Sequence, residues 1–318
     1  MVMEKLGVTE EKLLQLMDFV YPDKTKAFYK DTMVVYIVSE NKLDILQKLG
    51  GLLGEEEFGK RVFSVDGKDY NVMETAIYRN KLETVKYLLS NQWVKNAYST
   101  KNSDGQARIF RVLYWILVRC DNEDIIKYVL DALGLHNEAL VNALDYQCPK
   151  PSKQFQPQSP KYHKVSIVAQ IIAENKNAAS KLQRLSQMVG EKVLLQNVLK
   201  SDGYNVSGLE RAIMKNDVDL LRYLMGMHGM KEECINNEQT LWRIVYWMLN
   251  AKKSELQSRK ESVEYLTLVL NLDRPSLSKL VSFSYPTPAD AAGFDADYQK
   301  YWEKKVSQEA IETLLATD

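Results

Sequence analysis

The chain of 318 residues carries no net charge and has few cysteines. Its 42 basic and 42 acidic residues cancel, so no general electrostatic attraction to nucleic acid or to an anionic membrane is expected. The three cysteines, Cys120, Cys148 and Cys234, are odd in number and contain no Cys-x-x-Cys spacing. This pattern predicts free thiols in a reducing compartment.

Long hydrophobic runs are also missing. The longest apolar stretch, Val112 to Val118, is too short to cross a bilayer, so no membrane insertion is expected. The first residues carry acidic side chains where a signal peptide needs an apolar core. We therefore expect a cytoplasmic protein, or one that is exported without a cleaved signal peptide, for example as an effector.

Patterns of residues that bind metals or phosphates, or that act as catalytic nucleophiles, are few. The histidines, His136, His163 and His228, have no partner at a metal-binding spacing, and no phosphate-binding glycine motif or nucleophile elbow occurs. His228 lies six residues before Cys234, which fits either a nucleophile with its base or, as we favour, two unrelated residues. We expect no cofactor, no metal and no enzymatic activity.

Helical segments in the first half of the chain recur in the second half. Apolar residues in each segment are spaced by three or four, which predicts one face of a helix. Recurrence of such segments is typical of stacked helical repeats. The matched segments are 33–53 with 167–189, 73–89 with 209–225, and 108–117 with 240–249.

Each predicted unit is a pair of helices joined by a short polar break. Asn80 lies at one break, where tolerance of a left-handed backbone is useful. Turns are expected between units at Asp66-Gly67, Asp104-Gly105 and Asp202-Gly203, because glycine adopts positive φ without steric cost. No long strand is expected.

The residues after these turns resemble the ankyrin repeat. That family has an Asp-Gly turn, then Thr-Pro-Leu-His-x-Ala-Ala, a break and a second helix. The Thr-Pro-Leu-His tetrad is never intact in this chain, and the period is near 40 residues instead of 33. Armadillo and HEAT repeats, which have periods near 40, are the structural alternative. The residues that fall on the ankyrin motif are Ser207, Gly208, Leu209, Glu210 and Ala212, and in the first half Asn71, Val72, Met73, Glu74 and Ala76.

The resemblance implies an all-α solenoid of ankyrin-like helix-turn-helix repeats in two homologous halves with helical caps. A connector between the halves holds half of the eight prolines, and it is either a loop within one continuous array or a hinge. The expected segments are an N-terminal helical cap (1–32), a first repeat half (33–146), the Pro- and Gln-rich connector (147–164), a second repeat half (165–281), and a loop with a C-terminal helical cap (282–318).

Solenoids of this kind bind proteins through their concave surface and turn tips. We therefore expect a non-enzymatic scaffold that binds a protein partner, with no nucleic-acid partner. The alternatives are a structural subunit of a large assembly, or an enzyme with an unrecognised site. The candidate contacts at the tips and breaks are Lys68, Asp69, Tyr78, Arg79, Tyr204 and Lys215.

Arg111 and Arg243 occupy matching positions, each ahead of a repeated Tyr-Trp dipeptide. In one interpretation they present guanidinium groups on the inner face to a carboxylate or phosphate of a partner. In the other, which we favour, each packs on an aromatic side chain and pairs with an acid of a neighbouring repeat, such as Glu74 or Glu210. The Trp115 and Trp247 side chains are expected in the core.

Overall fold

The computed structural model describes residues 9–25, 30–66, 70–100, 103–145, 165–202, 206–249 and 259–273, together with residues 275, 277 and 312. Within these ranges there are seventeen α-helices and one π-helical segment, and the only β pairing is an isolated bridge between Val20 and Thr32. The all-α prediction is confirmed. The predicted connector and nearly all of the predicted C-terminal cap lie outside the described residues.

The chain divides into two compact units, Met1–His163 and Lys164–Asp318. A π-helical segment, Tyr114–Arg119, directly continues one helix of the first unit. The helices of this unit are α1 (Glu10–Met17), α2 (Met33–Ser39), α3 (Leu43–Phe63), α4 (Val72–Tyr78), α5 (Leu82–Ser90), α6 (Gln92–Ser99), α7 (Ser103–Leu113), α8 (Glu123–Leu133) and α9 (Asn137–Leu144).

The described part of the second unit contains eight helices. None of the helices in the described ranges has both the length and the apolar character needed to span a bilayer. The helices of the second unit are α10 (Ile167–Glu174), α11 (Ala178–Val189), α12 (Glu191–Leu199), α13 (Gly208–Lys215), α14 (Val218–Met225), α15 (Met230–Asn236), α16 (Glu238–Leu249) and α17 (Lys260–Val269).

Polar side chains determine where the short first helices of each group begin. Helices α2, α4, α10 and α13 each follow a Thr, Asn or Ser whose side chain accepts a hydrogen bond from the N–H three residues later. Such a cap satisfies one of the four N–H groups that an α-helix leaves unpaired at its start. The capping residues are Thr32, Asn71, Ser166 and Ser207.

A third helix follows the predicted helix pair in several groups. Gly54, with φ 74° and ψ 168°, divides α3 into two helical parts. Gly190, with φ 86°, separates α11 from α12 in the same way. Helices α6, α9 and α15 are the corresponding third helices elsewhere. The prediction of helix pairs was therefore incomplete, because a third helix follows the pair in these groups.

Equivalent helices pack side by side within each unit. In the first unit α2 contacts α4, and α4 contacts both α7 and the π-helical segment, while α3 contacts α5 and α5 contacts α8. In the second unit α10, α13 and α16 pack in order, as do α11, α14 and α17. The core lies between these rows, and it contains Trp115 and Trp247, which are 2% and 4% exposed as predicted.

The breaks after the first helices use left-handed asparagines. Asn80 has φ 55°, which confirms the prediction for that position, and Asn41 and Asn216 have φ 58° and 57°. Asparagine adopts this region more readily than most residues because its short polar side chain can bond locally. Asn175, by contrast, has φ −109° and donates its side-chain N–H to the Ile171 carbonyl.

The predicted Asp-Gly turns have different outcomes. Asp66 and Tyr70 are joined by two hydrogen bonds, since the Asp66 N–H donates to the Tyr70 carbonyl at 2.8 Å and the Tyr70 N–H donates to the Asp66 carboxylate at 2.9 Å. Asp202 and Val206 repeat this pattern, although the tips between them lie outside the described residues. The prediction for Asp104-Gly105 was wrong, because both lie in α7. A side chain at Gly105 would overlap the Thr100 carbonyl, so this glycine permits close packing.

Candidate functional site

Arg111 and Glu74 form a buried, bidentate ion pair between two neighbouring first helices. The Arg111 Nε donates to Oε1 of Glu74 at 2.5 Å, and a terminal N–H donates to Oε2 at 2.8 Å. The side chains are 8% and 1% exposed. Glu74 also accepts the backbone N–H of Asn71, which completes a capping box at the start of α4.

The second unit contains the same arrangement. The Arg243 Nε donates to Oε1 of Glu210 at 2.7 Å, and a terminal N–H donates to Oε2 at 2.9 Å. Glu210 accepts the Ser207 N–H in the capping box that opens α13. The predicted pairing with Glu74 and Glu210 is thus confirmed. Since both guanidinium groups face these carboxylates inside the unit, we do not retain the two arginines as partner contacts.

Lys215 also serves its own unit. Its Nζ donates to the carbonyl of Ile172 at 3.2 Å and to the carbonyl of Asn175, both at the C-terminal end of α10. Asp217 lies 3.3 Å away as an ion-pair partner. A cation that satisfies the last carbonyls of a helix stabilises it. This position therefore joins neighbouring groups, whatever contact it makes with a partner.

The remaining predicted contacts divide into two sets. Lys68, Asp69 and Tyr204 lie outside the described residues. Tyr78 and Arg79, at the end of α4, are exposed, and 57% of Tyr78 is accessible to solvent. Among the predicted contacts that the structure describes, Tyr78 and Arg79 are the two that it brings together on an accessible surface.

Tyr78 packs against the buried side chain of Trp115. The ring of Tyr78 contacts Trp115 edge-on with centroids 5.8 Å apart, and Tyr70 contacts Trp115 in the same manner at 5.3 Å. The Arg79 guanidinium lies 5.7 Å from the centroid of Tyr78. Arg119 is also exposed, at the end of the π-helical segment. We name Tyr70, Tyr78, Arg79, Trp115 and Arg119 the Tyr78 patch.

The electrostatics of Tyr70 are consistent with a crowded patch. Burial raises the pKa of the Tyr70 hydroxyl, and the nearby Tyr78 raises it further, while Arg119 acts in the opposite direction. Arg119 is held in place because its Nε donates to the Tyr114 hydroxyl at 2.9 Å. Tyrosine hydroxyls can donate hydrogen bonds, and guanidinium groups carry positive charge. Such a surface offers hydrogen-bond donors, aromatic faces and positive charge.

The second unit repeats the buried tryptophan of the Tyr78 patch but not the tyrosines and arginines around it. Trp247 contacts Tyr246 edge-on with ring centroids 5.4 Å apart, as Trp115 contacts Tyr114 at 5.5 Å. Sequence matching, however, puts Val206 at the position of Tyr70, Met214 at Tyr78 and Ala251 at Arg119. Tyr70 and Arg119 were not among the predicted contacts. The signal for them in the sequence is that neither has an aromatic or basic counterpart in the second half.

His228, Cys234 and possible metal ligands were the other chemical candidates in the sequence. In the described portion of the chain, no three side chains of His, Cys, Asp or Glu converge as a metal site. His228 is exposed, whereas Cys234 is buried. Burial, and to a lesser extent Glu233, raises the pKa of the Cys234 thiol to about 12. A thiol that stays protonated is a poor nucleophile.

Comparisons of the chain with protein-family models, with curated proteins and with solved structures give no match.

Proposed function

We propose that this chain is a non-enzymatic scaffold that binds a partner protein through the exposed surface at the end of α4. The single observation that carries the proposal is the Tyr78 patch, in which the exposed Tyr78 packs on the buried Trp115 and the exposed Arg79 lies beside the Tyr78 ring. Tyrosine, tryptophan and arginine are the residues that most often dominate the free energy of protein–protein binding.

We further propose that each unit is an ankyrin-like stretch of a solenoid and that the two arose by duplication. The side-by-side packing of the first helices, the recurrent capping boxes and the two buried Arg–Glu pairs support this. The third helix that follows the pair in several groups departs from the two-helix ankyrin unit. In a stack of this kind the scaffold residues hold neighbouring groups in register, while the outer residues of the first helices and tips remain free to diverge.

Affinity capture tests the proposal. The tagged full-length chain is incubated with a lysate of its source cells, and retained proteins are quantified by mass spectrometry. We expect one set of proteins to be retained by the wild type and to fall by at least tenfold, equivalent to about 1.4 kcal/mol of binding free energy, in the variant Arg79→Glu.

The matched control is Lys127→Glu, which makes the same charge change at an exposed position of α8. This control variant should retain the same proteins as the wild type. Failure of the wild type to retain any protein, or equal retention by wild type and Arg79→Glu, would overturn the proposed function.

A further inference from the structure

We propose that the Tyr78 patch recognises an acidic peptide segment of the partner, in which an Asp or Glu carboxylate pairs with Arg79 and an adjacent apolar side chain packs on Tyr78. This inference rests on the proposed function and specifies the chemistry of the partner.

The charge of Arg79 is the first observation. Among the residues that the structure describes, the Arg79 guanidinium interacts only with the ring of Tyr78. The nearby acid Glu74 is buried and already paired with Arg111. A planar guanidinium is a geometric match for a carboxylate, to which it can donate two parallel hydrogen bonds. Arg79 therefore favours a carboxylate over an uncharged group in the partner.

The packing of the tyrosine is the second observation. Tyr78 is 57% exposed, yet its ring rests edge-on against Trp115, which is only 2% exposed. A second edge-on contact, from Tyr70, holds the same indole. An aromatic side chain that is already ordered loses little conformational entropy when a ligand packs on it. The apolar face of Tyr78 next to the Arg79 charge suits a peptide that alternates acidic and apolar side chains.

The comparison between the units is the third observation. At the position of Arg79 the second unit has Lys215, whose Nζ is engaged by the carbonyls of Ile172 and Asn175. At the position of Tyr78 it has Met214. A point charge that is already held by backbone carbonyls cannot provide the same fork for a carboxylate. We therefore expect the acidic segment to bind the first unit only.

Single-stranded nucleic acid is the rival ligand, since bases stack on aromatic rings beside arginines. Such binding depends on many basic residues that follow the backbone, whereas the whole chain has no net charge. A peptide with one or two carboxylates needs only the local positive charge of the patch. The observations favour the peptide.

The experiment is selection of random 12-residue peptides displayed on phage, carried out against the immobilised full-length chain. Selected peptides are then synthesised with a fluorescent label, and their Kd is measured by fluorescence anisotropy. We expect enrichment of peptides with Asp or Glu beside an apolar residue. Their Kd should rise at least tenfold with Arg79→Glu and with Tyr78→Ala, and it should rise with salt concentration because exposed charges are screened.

Two control variants show whether a change in Kd is specific to the Tyr78 patch. Lys127→Glu repeats the charge change, and Leu268→Ala removes an apolar side chain that is 76% exposed in the second unit; neither should change the Kd. Replacing Glu by Lys in the best peptide should restore part of its binding to Arg79→Glu. Circular dichroism melting of each variant shows that the fold is retained.

The inference is overturned if the selected peptides lack acidic residues, if no peptide binds above background, or if their Kd is the same for wild type and Arg79→Glu. It is also overturned if a labelled oligonucleotide binds in an Arg79-dependent manner while acidic peptides do not. If lysate capture still depends on Arg79 in any of these cases, the proposed function stands and only the acidic-segment inference fails. If capture is also independent of Arg79, both fail.

Discussion

Arg111 and Glu74 lie 37 positions apart in the chain and form a bidentate ion pair that joins α4 to α7. The same carboxylate accepts the backbone N–H of Asn71 at the start of α4. One acidic side chain therefore caps its own helix and binds the next helix in the row. Glu210 performs both tasks in the second unit, where Arg243 is its ion-pair partner.

Substitution of Arg111 by Met should destabilise the protein strongly. It would leave the Glu74 carboxylate buried without its cation, and breaking a buried pair in this way typically costs about 3–5 kcal/mol. The free energy of unfolding, measured by urea denaturation with circular dichroism, should fall by that amount. Arg243→Met should give a loss of similar size in the second unit. A loss under about 1 kcal/mol at both positions would show that the pairs contribute little.

The double variant Glu74→Gln/Arg111→Met is the matched control. Glutamine keeps an oxygen that can accept the Asn71 N–H, as in other capping boxes, and it leaves no buried charge. We expect the double variant to recover more than half of the stability lost in Arg111→Met. Losses that simply add would mean that the two residues are not coupled.

Two glycines of α3 should respond to alanine in opposite directions. A Cβ on Gly59 would overlap the ring of Trp93, so Gly59→Ala should cost about 1–3 kcal/mol through overpacking. Gly51 has no heavy atom within 4 Å of the same added carbon. Gly51→Ala should therefore raise stability, by up to about 1 kcal/mol from helix propensity. Differential scanning fluorimetry of the two variants should give melting temperatures on either side of the wild type, and shifts of the same sign would contradict this account.

The left-handed break at Asn80 should prefer glycine to alanine. Asn80 has φ 55°, where a Cβ costs roughly 1–2 kcal/mol that glycine does not incur. Urea unfolding should therefore rank Asn80→Gly above Asn80→Ala. At Asn175, with φ −109°, the order should reverse, because glycine there brings only its extra chain entropy. If the glycine and alanine variants ranked in the same order of stability at both positions, the left-handed backbone would not be what disfavours alanine at Asn80.

The buried thiols should be unreactive in the native protein. Cys234 and Cys120 are both buried, and the pKa of the Cys234 thiol is raised to about 12 from its ordinary value of 9.0. Iodoacetamide at pH 8 should label both cysteines in urea but spare them in buffer, as read by peptide mass spectrometry. Rapid native labelling of Cys234 would contradict its burial.

The same raised pKa predicts how stability depends on alkaline pH. Between pH 9 and pH 12 the unfolded chain releases the Cys234 proton that the native chain retains. The unfolded state is favoured under these conditions, so the contribution of this group lowers the free energy of unfolding by at most about 1.4 kcal/mol per pH unit. The loss should be smaller in Cys234→Ala, and urea unfolding at pH 8 and pH 10 checks it.

Several features could be predicted because they depend on local chemistry or on recurrence. Helical periodicity revealed the all-α class, and Asn80 marked a left-handed break. The matched positions of Arg111 and Arg243 indicated a shared structural role, since an otherwise apolar helix must neutralise a buried cation. The acid at the third position of each capping box supplied the partner.

Other features depend on tertiary contacts that leave little trace in sequence. The third helices begin after breaks such as Gly54 and Gly190, which also fit the end of a helix pair. Gly105 resembled a turn glycine, although its role is close approach to Thr100. Lys215 resembled an exposed tip residue until its carbonyl partners, about 40 positions earlier, were located.

Site-specific photo-crosslinking can show whether a partner protein contacts the end of α4 in the first unit. A benzoyl-phenylalanine residue replaces Tyr78 in one sample and the more exposed Leu268 of the second unit in another. Both tagged proteins are irradiated in a lysate of the source cells. We expect a discrete crosslinked product from position 78, containing a protein that affinity capture also retains, and none from position 268. Equal products at both positions, or none at position 78, would contradict the proposed contact.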